Sequence, residues 1–133
     1  ATIRVYESMI IDRIEFERHF QLWVYSASHS QLLLRSNRSN EHATRVDVLF
    51  KDVGALELPI SFDGLVIMEA SRDQVYEINP QLGSRGIQDR KVFIVCGPSF
   101  SGYVVAGAVF WHEDEGHHYD KSYFSNSFVS QEV

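Results

Sequence analysis

The residues best equipped for chemistry crowd into one stretch, WHEDEGHHYD at 111–120, which holds three of the six histidines and four of the eighteen acids in the chain. Imidazole and carboxylate are the ligands of borderline divalent cations such as Zn²⁺, Ni²⁺ and Mn²⁺. The helical zinc-protease pattern needs a second histidine at position 116, where this chain has Gly116, so that motif fails. A looser site stays open. Strand residues two apart share a face, which brings His112 beside Asp114, and a loop through Gly116 could return His117 or His118 to them. A divalent metal held by His112, Asp114, His117 and His118 is therefore one expectation, and a metal-dependent enzyme using residues 112–120, as far as Asp120, is one functional alternative. The leading reading of the stretch is a polar strand end. Trp111 then turns to the core, while His112, Glu113, Asp114 and Glu115 face water, because adjacent buried carboxylates need partners that this segment does not itself supply.

Other constellations carry less. Gly97-Pro98-Ser99-Phe100-Ser101 approaches the nucleophile-elbow spacing, but serine stands where the second glycine belongs and the following residues look like a strand rather than a helix. Cys96 is the single cysteine, which excludes an internal disulfide, and no base adjoins it to make a reactive thiolate. His29 sits between Ser28 and Ser30 in turn-like sequence. Glu15, Glu17 and His19 alternate along one face if their segment is extended, and paired carboxylates can do acid–base work. The reading of that face is solvated charge. No glycine-rich phosphate cradle, no Cys/His finger and no dinucleotide fingerprint is present.

The elements that must position these groups are mainly strands. Period two dominates: Ile3 and Val5 alternate with Arg4 and Tyr6; Phe20, Leu22 and Val24 with Gln21, Trp23 and Tyr25; Val46, Val48 and Phe50 with Arg45 and Asp47. Residues 31–36 read as a return strand and 36–43 as a polar loop. ALEL continues the alternation to Pro59, Asp63-Gly64 signals a turn, and LVIMEA follows as a strand. SRDQ is expected to turn the chain and VYEI to return it as another strand. Residues 79–90 are the main loop candidate. KVFIVCG and GYVVAGAVFW are continuously apolar, as strands covered on both faces are. Residues 11–20 fit a helix started by Asp12 or a strand, with strand favoured by the Phe content. The expected core is Val46, Val48, Phe50, Leu56, Leu58, Ile67, Phe93, Val95, Val105 and Phe110.

A chain of 133 residues is one domain by size, 1–133, and buries roughly two-thirds of its unfolded surface without needing a staple. The fold class is mainly β, with α+β as the alternative: eight to ten mostly antiparallel strands in a sandwich or partly open barrel, with at most one or two helices. A net charge of −6 argues against a nucleic-acid surface. No apolar run approaches the ~20 residues of a membrane span, and no leader is evident at the first residue onward. The expected protein is cytoplasmic and non-enzymatic, a small binding or interaction protein that engages a protein partner or itself, for example an acidic inhibitor or immunity-type protein. The alternative is a small-ligand-binding barrel or sandwich, or an enzyme with a pocket. No cofactor beyond the possible divalent metal is implied.

Overall fold

The computed structural model describes residues 4–7, 13–80, 87 and 89–127. The period-two segments become nine strands: β1 (Arg4–Glu7), β2 (Ile14–Ser26), β3 (Gln31–Ser36), β4 (Arg45–Lys51), β5 (Ala55–Glu57), β6 (Ser61–Glu69), β7 (Lys91–Gly97), β8 (Phe100–Ala106) and β9 (Ala108–Asp114). They form one sheet in the order β1-β9-β4-β3-β2-β6-β7-β8-β5, and every described pairing is antiparallel. The mainly β class is thereby shown, and residues 14–20 are strand. Of the 2–8 segment only β1 lies within the described residues, as do only parts of the 79–90 loop, and Asp12 lies outside them.

The sheet curls because two stretches of chain serve both of its ends. Gly107 alone separates β8, which pairs with β7 and β5, from β9, which pairs with β4 and β1. Alongside runs the β4-to-β5 stretch: the Gly107 N–H donates to the Lys51 carbonyl at 2.9 Å, and the Gly54 N–H donates to the Val105 carbonyl at 2.8 Å. The result is a partly open barrel. Its interior is filled with side chains, among them Phe20, Leu34, Val46, Val48, Phe50, Leu65, Ile67, Phe93, Val95 and Val104. Phe50 of β4 meets Phe93 of β7 across it, with ring centroids 5.9 Å apart. Of the expected core, Leu56 and Leu58 are half-buried at the rim of this cluster. Val105 and Phe110 point to the other side of the sheet.

Two outer layers cover that other side. Helix α1 (Arg72–Ile78) seats Val75 on Val92, Tyr103 and Val105 of β7 and β8. This corrects the strand expected over VYEI. Ser71 and Gln74 form a reciprocal capping box, each side chain bonded to the other's backbone N–H, which starts a helix that Val75 and Ile78 anchor one turn apart. At the opposite side, Phe124, in a 3₁₀ segment at Tyr123–Ser127, covers Leu33 and Leu49. The strand β4, expected to be half-buried, is therefore covered on both faces, Arg45 and Asp47 included.

Bulges supply two further corrections. Asp63-Gly64 is not a turn but part of β6. Glu17 and Arg18 of β2 lie opposite Gly64 alone, between the pairs Phe16↔Leu65 and His19↔Asp63. Gly64 has φ of 78°, and a Cβ there would meet Pro98 Cδ at 2.9 Å. Trp23 is an extra residue between the pairs Leu22↔Leu34 and Val24↔Leu33. Trp23 and Val24 both pack against the outer cluster of Leu33, Leu49 and Phe124, so Val24 does not share a face with Phe20.

Candidate functional site

Three adjacent strands place a row of charge on the outer face of the barrel: register sets Arg35 of β3 beside Asp47 of β4, and Asp47 beside His112 of β9. In the same way Arg45 stands opposite Asp114. Arg35 is fully buried and grips Asp47 in a two-pronged ion pair of 2.7 and 3.0 Å. Arg45 grips Asp114 likewise at 3.1 and 2.9 Å. The acids of the 111–120 stretch thus find their cation on another strand. Burial works against the charged form of Asp114, but hydrogen bonds from Arg45 and the Gly116 N–H outweigh it and hold the carboxyl below its ordinary value.

The remaining donors of both arginines reach outward and pin residues 117–124 as a strap across the strands. Arg35 donates to the His118 carbonyl at 3.0 Å. Arg45 donates to the carbonyls of His117, Asp120 and Lys121 at 2.9, 2.9 and 3.1 Å. Ser122 Oγ donates to Asp47 at 2.7 Å. Gly116 is required at the turn into the strap, since a Cβ there would come within 2.5 Å of the Arg45 guanidinium. Because the strap is held by its backbone, the side chains of His117, His118, Tyr119, Asp120 and Lys121 are all exposed. Tyr119 is 72% exposed, stacked on His117 with centroids 5.3 Å apart.

Beside the strap lies a groove of about 640 Å³. The β2 bulge forms one wall and sets His19 opposite Asp63, with His19 Nδ1 2.7 Å from Asp63 Oδ1. The loop between β3 and β4 forms the other wall, where Ser39 Oγ accepts the backbone N–H groups of Glu41 and His42. Arg18 lies at its floor, 8% exposed, donating to Ser36 Oγ, Thr44 Oγ1 and neighbouring carbonyls. Burial makes that guanidinium easier to deprotonate than an exposed one, against the pull of Glu113. Arg38 joins groove and strap, donating to the Glu115 carbonyl at 2.9 Å and lying 3.2 Å from His117 Nε2.

The four expected metal ligands are not gathered. His112 is buried at 3% exposure, contrary to the expectation that it faces water. Its Nδ1 is 3.5 Å from Asp114 Oδ2, while His117 and His118 stand exposed on the strap. Among the described residues no three His, Cys, Asp or Glu side chains converge as metal ligands would. Trp111 does pack against the interior cluster, as expected. The elbow-like serines fall at the β7–β8 hairpin, with Ser99 in its turn. His29 Nδ1 is shared by Ser28 and Ser26 at 2.9 and 3.3 Å in the exposed β2–β3 turn. Sequence reasoning missed the strap and the groove. The alternating charges Arg35, Arg45 and Asp47 in apolar strands were the available signal for the first.

No protein-family model, no curated protein and no solved structure matches this chain. Among the described residues no helix is long and apolar enough to cross a membrane.

Proposed function

We propose that the protein is a non-enzymatic binding protein, and that the strap and the adjoining groove together form the face it presents to a protein partner. One observation carries this reading: the strap spends its backbone carbonyls on Arg35 and Arg45 and leaves an unbroken set of polar and aromatic side chains outside. An exposed tyrosine on a backbone-pinned strap, with a polar surround, is the kind of residue that energetic centres of interfaces are made of. The exposed charges on this face are mostly acids, Glu17, Glu41, Asp63, Glu115 and Asp120, against Arg38 and Lys121. Such a surface favours a partner with a basic patch, as an acidic inhibitor or immunity-type protein would mask. The free thiol of Cys96 suits the reducing cytoplasm, where we place the protein.

The test is reciprocal capture followed by titration of the purified partner. Replacing Tyr119 with Ala should cost about 2 kcal/mol of affinity, the usual scale of an interface anchor. Combined Glu41→Lys and Glu115→Lys should slow association and flatten its salt dependence. A captured partner that binds wild type and both variants equally would refute this face.

A second reading rests on the His19–Asp63 pair. An imidazole oriented through Nδ1 by a carboxylate leaves Nε2 to act as a general base toward a group in the groove. Turnover of any substrate that vanishes in His19→Ala while the fold persists would move the protein into the enzyme class.

A further inference from the structure

His112 is the one buried histidine among the described residues, and neither ring nitrogen has a hydrogen-bond partner. The ring lies flat against Tyr123, with centroids 3.9 Å apart and planes within 12°, and Phe124 meets it edge-on at 6.2 Å. The strap therefore sits directly on the imidazole. The charged groups around the ring come from each packed strand. On β9 it has Asp114, on β4 Asp47 and Arg45, and one strand further, on β3, Arg35. On its other side β1 runs with Val5 in register. Both carboxylates are already engaged: Asp114 by Arg45 and the Gly116 N–H, Asp47 by Arg35 and Ser122 Oγ. A proton on His112 would add a third cation beneath the strap, on a ring whose nitrogens make no hydrogen bond and whose nearest carboxylate, Asp114 at 3.5 Å, is already held by Arg45.

We propose that His112 is a proton-operated latch: neutral, it seats residues 117–124 on the sheet, and protonated, it loosens them. That this would regulate partner binding rests on the reading of the strap as the contact face. The latch itself is a property of the free protein and is tested there, so either idea can fail without the other.

The direction of the effect follows from the site. Burial, the largest influence, lowers the His112 pKa from its ordinary 6.5; Asp114 and Asp47 raise it, and Arg45 lowers it. Well above pH 6.5 the ring is neutral whether the strap is seated or open, and pH has no effect on seating. Below 6.5 the open form takes the proton first, so seating weakens as pH falls. The loss stops once pH passes below the lowered pKa of the seated form. One proton changes the opening equilibrium by at most tenfold per pH unit in that window. Asp114, held below the ordinary carboxylate value, stays ionised throughout.

The experiment is amide hydrogen exchange at pH 7.5 and 5.0, corrected for intrinsic rates, on wild type and on His112→Phe, which keeps the stack on Tyr123 but cannot take a proton. In wild type the protection of residues 117–124 should fall severalfold on acidification, while β3, β4 and β9 hold. In His112→Phe it should not change. If the variant does not fold, the histidine resonances of wild type decide instead. A His112 pKa below 6.5, with the Ser122 and Tyr123 amides moving on the same midpoint, supports the latch. Protection that ignores pH, an equal loss in His112→Phe, or a His112 pKa at or above 6.5 overturns it.

Discussion

Arg35 and Arg45 show how two like charges are buried at neighbouring positions without waste. Each uses one side of its planar fork on a carboxylate and the other on carbonyls of the strap, and Arg35 also lies over the Trp23 ring at 4.9 Å. Such a pair is strongly coupled, because removing one partner strands the other charge in the interior. Replacing Arg35 with Ala should therefore cost about 3–5 kcal/mol in urea unfolding, the range found when a buried pair is broken. Replacing Arg35 with Met together with Asp47 with Leu should recover most of that loss. A single variant as stable as wild type would show that the pair is solvated. The same residues explain why residues 111–120 were misjudged at the sequence level. Residues 111–120 contain no Lys or Arg, but Arg45 is 69 positions from Asp114, and only strand register brings it there.

At the level of elements, the strands were readable because period two is a local property, while their interruptions were not. Gly64 shows the difference. Asp-Gly usually signals a turn, yet here the glycine absorbs a bulge in mid-strand and lets His19 pair with Asp63 in one wall of the groove. Ser71 shows the reverse case, since S-x-x-Q before an apolar pair is a helix start written plainly in the chain, and the β-rich context concealed it. The groove wall depends on the bulge. Gly64→Ala would force a side chain into left-handed backbone and against Pro98, so a loss of about 1–3 kcal/mol is expected in urea unfolding. Neutral stability would mean that the bulge relaxes freely. The expected core residues of β4 lie in the interior, Leu56 and Leu58 reach only its rim, and Phe110 and Val105 lie on the other face, where both sides of the sheet are covered and apolarity no longer tells inside from outside.

The described residues form one curled, partly open sheet with a side-chain-filled interior and two separate outer layers, and the layers differ in what holds them. Helix α1 packs on β7 and β8 through the apolar cluster around Val75, whereas the strap combines Phe124 with the charged row beneath it. Strand order, and hence which faces receive a cover, follows from long-range pairings that no local pattern encodes. The architecture makes a prediction about cooperativity. Phe50 joins β4 to β7 through the interior, so Phe50→Ala should cost about 3–5 kcal/mol and lower exchange protection across every strand of the barrel. Phe124 meets the sheet from outside, at Leu33, Leu49 and the edge of His112, so Phe124→Ala should raise exchange chiefly in residues 117–124 and leave β6 and β7 protected. Equal loss of protection in β6 and β7 in the two variants would mean that strap and barrel unfold as one unit, and that the contact face cannot open without the fold.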